Sequence, residues 1–142
     1  MSVDFDYLIV GQGAAGTLMH YELSKRGKKC LVIDNQHIGA ASKVAAGIIN
    51  PVTGRRYVKS WRIEELMPFA LATYRAIEQK LRITFCHERN ILRALFNHGE
   101  ENDWLARTAQ TDYQPYLKDE AQIGHLNEVA HPVFSIGEVN GV

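Results

Sequence analysis

An α/β fold built on a parallel sheet is predicted by three observations. "DYLIV" (6–10) is a continuous apolar run that stops at Gly11, and "KCLVID" (29–34) is a second such run. Between them "TLMHYELSKRG" carries helical spacing. Uninterrupted short apolar runs suit strands buried on both faces of a sheet. Strand, helix and strand in this order make a βαβ unit, for which a right-handed crossover is expected.

Each element has its own signal. Ala14, Leu18 and Tyr21 fall on one helical face; Lys25 and Arg26 occupy the last turn, and Gly27 supplies the stop. Residues 35–59 show no sustained periodicity and are rich in Gly, Ala, Asn and Pro, which predicts a loop with one short helix. Met67, Ala70, Tyr74, Ile77 and Leu81 alternate spacings of three and four, so an amphipathic helix is expected with that stripe in the core. Pro68 belongs in its first turn or at a kink. "ITFCHE" (83–88) and "NILRALF" (90–96) read as strands, and "NHGEEN" (97–102) as a turn. "EENDWLARTAQ" (100–110) reads as a short helix with Trp104, Leu105 and Ala109. "PYLKDEAQIGHL" (115–126) is mixed, and "HPVFSIGEVNGV" (131–142) reads as a strand and turn. There is no repeat and no low-complexity segment.

The 142 residues suffice for one compact domain, and an apolar fraction of 46% suits a globular core. Sixteen basic and 16 acidic residues cancel, which gives no overall electrostatic case for nucleic acid or an anionic membrane. Cys30 and Cys86 have no CxxC partner and read as free buried thiols. The start "MSVDFDYLIV" lacks a basic n-region, and no apolar run approaches membrane-spanning length; the cytoplasm is the expected compartment.

Gly11-Gln12-Gly13-Ala14-Ala15-Gly16 matches GxGxxG in the right context: a buried strand before, a helix after, and an acid, Asp34, ending the next strand. Gly11 permits the tight turn. Gly13 lacks the Cβ that would block a pyrophosphate, and Gly16 lets helix and strand pack closely. The helix N-terminus offers free N–H groups and partial positive charge to phosphates, and the Asp34 carboxylate can accept ribose hydroxyls. The pattern predicts the start of a Rossmann-like FAD/NAD(P)-binding domain rather than an ordinary glycine turn without a ligand. The loop alone does not separate FAD from NAD, which share an ADP half.

A second loop of small residues, "AASKVAAGIINPVTGRR" (40–56), follows closely, where a nicotinamide enzyme would pass into another regular βα element. Small side chains let backbone approach a bulky flat ligand. With "YLIVGQGAAGTLMHYELSKRGKKCLVID" and then "GAASKVAAGIINP", the sequence resembles the FAD-dependent oxidoreductases of the D-amino-acid oxidase family, which includes glycine oxidase-like enzymes. The resemblance is firm over 5–50 and faint afterwards. It implies FAD as cofactor, with Gly11, Gly13 and Gly16 at the pyrophosphate and Asp34 at the adenosine ribose. Ser42 would contact the phosphates or ribityl chain, and Ala46 and Gly47 would present backbone to the isoalloxazine. Ala14, Ala15 and Asn35 complete the expected cofactor-binding set. Two positions depart from the family pattern: Asp34 stands where Glu is more frequent, and His20 where a small residue is usual.

The resemblance further implies that 1–142 is the N-terminal part of the FAD-binding domain, with its core at 5–50, and that 80–142 runs towards a substrate domain. The parent reaction would be hydride transfer from an amine or amino acid to flavin. The chain alone is expected to be an inactive fragment, and the exposed edge of its sheet is expected to favour self-association. No catalytic residue is assigned. The alternatives are an NAD(P)-dependent dehydrogenase and a non-catalytic nucleotide-binding fragment. "GRRYVKSWR" clusters Arg55, Arg56, Lys59 and Arg62 with Tyr57 and Trp61; a solvated face or a small anionic substrate group is favoured over nucleic acid. His20, His37, His87, His98, His125 and His131 are scattered without metal-ligand spacing, so no metal is expected.

Overall fold

The computed structural model describes residues 4–118 and 135–142, the last stretch beginning with backbone alone at Ser135 and Ile136. The chain divides into two compact units, Met1–Gly47 and Ile48–Val142.

In the first unit, β1 (Tyr7–Val10) and β2 (Cys30–Ile33) pair in parallel, from Tyr7 opposite Cys30 to Val10 opposite Ile33, with α1 (Ala14–Lys25) between them in sequence. The one-turn α2 (Ala41–Val44) follows. α1 ends as the sequence predicts. Gly27 is left-handed (φ 70°); its N–H donates to the Ser24 carbonyl at 3.0 Å, and the Lys28 N–H donates to the Leu23 carbonyl at 3.0 Å. This double closure satisfies carbonyls that the helix end would leave open. Glu22 gathers Lys25 and Arg26 at 3.0 and 3.1 Å on the same turn.

Burial of the two strands on both faces is not what the structure shows. Alternation puts Tyr7, Ile9, Cys30 and Val32 on one face, where Ile9 is buried against α1 near Gly16. The opposite face carries Leu8, Val10, Leu31 and Ile33, exposed by 59, 79, 40 and 52%. One helix covers one face of a two-stranded sheet; the continuous apolar run that predicted the strands also equips the second face for burial.

The second unit opens with a hairpin, β3 (Val52–Thr53) and β4 (Val58–Lys59), inside the stretch expected to be loop. Two residues per strand are too few to show alternation, so the hairpin leaves no periodic signal. α3 (Ile63–Leu81) begins four residues before the predicted start, and Pro68 therefore sits inside the helix rather than in its first turn. Of its apolar stripe, Met67, Ala70, Tyr74 and Ile77 are half-buried and Leu81 is 55% exposed; the buried residues are Ile63 and Glu78.

Residues 83–88, expected to be a strand, have no regular structure. Their backbone groups are engaged by α3 instead. Glu78 Oε1 accepts the Phe85 and Cys86 N–H groups at 2.7 and 2.8 Å, while Arg75 donates to the Cys86 carbonyl at 2.7 Å. "NHGEEN" is a helix start, not a turn: α4 spans His98–Thr108, and the Asn97 side chain accepts the Glu100 N–H at 2.9 Å. Glu100 in turn accepts the Phe96 N–H at 3.0 Å, so Asn97-x-x-Glu100 works as a variant of the capping box.

β5 (Arg89–Leu95), β6 (Leu117–Lys118) and β7 (Ser135–Gly141) form an antiparallel sheet in the order β5-β7-β6. The core gathers Val52 and Tyr57 from the hairpin region, Trp104 from α4, Tyr113, and Leu95, Leu117 and Val139 from the sheet. Trp104, 1% exposed, meets Tyr57 edge-on at 5.2 Å, and its indole N–H donates to the Lys118 carbonyl at 3.0 Å. Gly137 must lack a side chain here, since a Cβ would come within 2.2 Å of the Trp104 ring. Both cysteines are free thiols, Cys86 buried and Cys30 only half-buried. Among the described residues no helix is long and apolar enough to cross a membrane.

Candidate functional site

The glycine loop joins β1 to α1 in the first unit. Gly11 adopts φ 96°, a conformation that L side chains rarely take, and its N–H donates to the Ile33 carbonyl at 2.7 Å. The turn is thereby fastened to the end of β2. A Cβ on Gly16 would lie 1.9 Å from the Gly11 carbonyl oxygen and 3.4 Å from Ile9 Cγ2, so helix and turn approach as the sequence predicts.

Gly13 is the N-cap of α1 and supplies no capping side chain. The first helical bond runs from the Thr17 N–H to the Gly13 carbonyl at 2.9 Å, so the N–H groups of Ala14, Ala15 and Gly16 have no intrahelical acceptor. The first turn contains no acidic residue to neutralise the positive end of the helix. Ala14 and Ala15 are exposed.

The second loop meets the first at this point. The Ser42 hydroxyl, on α2, lies 3.2 Å from where a Gly13 Cβ would stand. A side chain at Gly13 would therefore encroach on the space bounded by the helix end and Ser42. Asp34 lies on the other side of the loop. Its Oδ2 accepts the Gln12 N–H and its Oδ1 the Gln36 N–H, each at 2.6 Å. These two bonds, Gln12 first, hold its carboxyl below the usual carboxylate range. Each oxygen retains a second lone pair for a hydroxyl donor.

The structure thus brings Gly11, Gly13, Ala14, Ala15, Gly16, Asp34 and Ser42 around one helix end. Asn35 is occupied locally, its Oδ1 accepting the His37 N–H at 3.2 Å. Ala46 and Gly47 follow α2 and are exposed, with Gly47 at φ 69°. Sequence reasoning missed the backbone partners of Asp34; the residue at the x of GxG participates through its N–H, which any side chain except proline's would leave in place.

The basic and aromatic cluster of the second unit is largely committed. Lys59 pairs with Asp112 at 2.7 Å and Glu64 at 2.5 Å, bonds that raise its pKa. Arg62 pairs with Glu65, and Tyr57 is buried in the core. An open cleft lined by Arg75, Glu78, Gln79, Arg82, Ile83 and Thr84 lies beside α3, where Glu78 already serves the backbone of the following turn. Among the described residues no group of His, Cys, Asp and Glu is placed to hold a metal ion; His125 and His131 lie outside those residues.

Known proteins align with this picture. The "Uncharacterized oxidoreductase YurR" of Bacillus subtilis (strain 168) is 40% identical over 55 residues, 39% of this chain and 15% of that protein. The "Digeranylgeranylglycerophospholipid reductase 3" of Methanosphaera stadtmanae is 41% identical over 56 residues, 39% of this chain and 14% of that protein. The aligned part is about a seventh of these curated relatives. No solved structure matches. The family described as FAD dependent oxidoreductase (DAO) matches residues 6–133, nearly the whole chain, and the chain therefore belongs to this family, whose cofactor is FAD.

Proposed function

We propose that this chain holds the ADP half of FAD for an oxidoreductase acting on an amine or amino acid. One observation carries the reading: the N-terminal end of α1 presents N–H groups without an intrahelical acceptor, with no acidic residue in its first turn, at a glycine that leaves room beside Ser42. A pyrophosphate fits that end by charge and by donor geometry. Ala14, Ala15 and Gly16 would donate their N–H groups to it, and the Ser42 hydroxyl would add a donor from the second loop. Asp34 would receive the adenosine ribose hydroxyls on its free lone pairs. Ala46 and Gly47 would lie along the flavin, where their small size admits a flat ring.

FAD, when bound, supplies the two-electron acceptance that oxidation of a carbon beside an amine requires; the protein positions the cofactor and sets its surroundings. The name of the Methanosphaera relative specifies a phospholipid reductase. The amine reading rests on the resemblance in the second loop.

Titration calorimetry with ADP, FAD and NAD tests the assignment. ADP and FAD should both bind, and Gly13→Val should abolish both by filling the pyrophosphate's place. Gly47→Val should weaken FAD far more than ADP, which has no isoalloxazine. Equal losses at Gly47 would remove the flavin contact, and tighter binding of NAD than of FAD would favour a nicotinamide-dependent dehydrogenase.

A further inference from the structure

Asp34 grips the glycine loop itself, in addition to the ribose role proposed above. Gln12 stands between two glycines, Gly11 and Gly13. Its N–H is held by Asp34 Oδ2 at 2.6 Å. A trans peptide is planar, so that N–H and the Gly11 carbonyl point in opposite directions within one rigid plane. The Gly11 carbonyl is the group that Gly16 must make room for, at 1.9 Å from a would-be Cβ. Asp34 on one side and Gly16 on the other thus fix the rotation of the Gly11–Gln12 peptide. Gly13, the N-cap, follows immediately.

The other carboxylate oxygen holds the start of the segment that leads into the second loop. Oδ1 accepts the Gln36 N–H at 2.6 Å, and Gln36 has φ 54°, a conformation that needs support in a residue with a side chain. The Gln36 carbonyl accepts Lys43 Nζ at 3.5 Å, and Lys43 adjoins Ser42 on α2. Bonds thus run from Gln12 to Asp34, from Asp34 to Gln36 and from Gln36 to Lys43, whose neighbour Ser42 has its hydroxyl 3.2 Å from where a Gly13 Cβ would stand. One carboxylate joins the two loops that flank the helix end.

We propose that Asp34 is a positioning residue for the pyrophosphate cradle, setting the Gly11–Gln12 peptide and the Ser42 loop together, so that its loss weakens binding of a ligand with no ribose at all. The inference rests on the nucleotide reading above, and its test separates the two. The probes are ADP and inorganic pyrophosphate, titrated into the full chain at neutral pH and followed by the amide resonances of Ala14, Ala15 and Gly16. Asp34→Asn keeps one oxygen for a ribose hydroxyl but turns an NH2 group towards one of the two backbone donors. It should weaken pyrophosphate about tenfold, the scale of one lost charge-assisted hydrogen bond; Asp34→Glu should recover part of that loss. An unchanged pyrophosphate affinity with weakened ADP would overturn the positioning role and leave a ribose contact alone.

The wild-type chain gives a second reading that needs no variant to fold. The amide resonances of Gln12 and Gln36 should shift together as acid protonates Asp34, with one midpoint below the ordinary aspartate range. Independent or absent shifts would overturn the shared grip. Failure of wild type to bind ADP would instead remove the nucleotide reading, while these two amides still decide whether Asp34 holds both loops.

Discussion

Gly16 shows how narrow the tolerance at a single residue is. Adding one methyl group would place carbon 1.9 Å from the Gly11 carbonyl oxygen, which is fixed between Asp34 and the helix. Gly16→Ala should therefore destabilise the first unit by about 1–3 kcal/mol, the range for overpacking, and displace the turn that presents the helix end. Chemical denaturation followed by circular dichroism would measure the loss; a variant as stable as wild type would show that the turn yields freely. The three glycines were legible because each answers to a backbone requirement that few residues meet, and Asp34 because it is the acid that ends the second strand. The Gln12 N–H and the approach of Ser42 were not, because a backbone donor carries no residue signature and the two loops meet only in three dimensions.

Among the elements, α3 and the irregular segment after it behave as one piece. Glu78 accepts two backbone N–H groups and pairs with Arg75 at 2.9 Å, and these bonds, the backbone ones first, lower its pKa from 4.5 to about 2. A depressed carboxyl stabilises the fold fully above its unfolded value, and that contribution disappears as pH falls through the folded value. Stability of the second unit should decline between about pH 4.5 and about pH 2. Glu78→Gln, which cannot provide the same acceptors, should lower the urea midpoint at neutral pH and flatten that acid slope. A slope unchanged by the substitution would assign the acid sensitivity to another carboxylate. This segment also explains a misreading. "ITFCHE" has the composition of a strand, yet a glutamate seven residues upstream takes two of its donors, and composition does not report which acceptor a backbone group finds. α1, α3 and α4 were legible at the level of existence, α3 from its stripe and α1 from its glycine stop, while the cap that starts α4 was read as a turn; the two-residue strands were below the length at which a period can be seen.

For the whole molecule, the face of Leu8, Val10, Leu31 and Ile33 dominates what to expect in solution. Four aliphatic residues opposite one another on adjacent strands make a contiguous apolar surface, beside strand edges that are unpaired among the described residues. The chain should associate with rising concentration. Val10→Lys combined with Ile33→Lys should reduce that association and leave the α1 face intact. Sedimentation velocity across a concentration series is the measurement; a wild-type chain that stays monomeric throughout would show that the face is tolerated in water. The continuous apolar runs made the parallel pair legible. They could not tell which of its faces this stretch of chain would cover, because burial on a face depends on what packs there and not on the strand itself.

The backbone exchange between Ile49 and Val142 sets the order in which the molecule can assemble. Each donates its N–H to the other's carbonyl, at 2.6 and 3.1 Å, and β7 separates β5 from β6 in the sheet. The βαβ of the first unit closes over a short stretch and can form while later residues are still being synthesised. The second unit cannot close its sheet until β7 arrives, since its neighbours in space are the earlier strands. Loop closure costs about 0.6 kcal/mol more for each doubling of length, and contacts so distant along the chain slow folding. Ribosome-bound chains halted just before Ser135 should protect the β1 and β2 amides from hydrogen exchange while leaving those of β5 open. Equal protection of both in such chains would show that the second unit folds without its central strand.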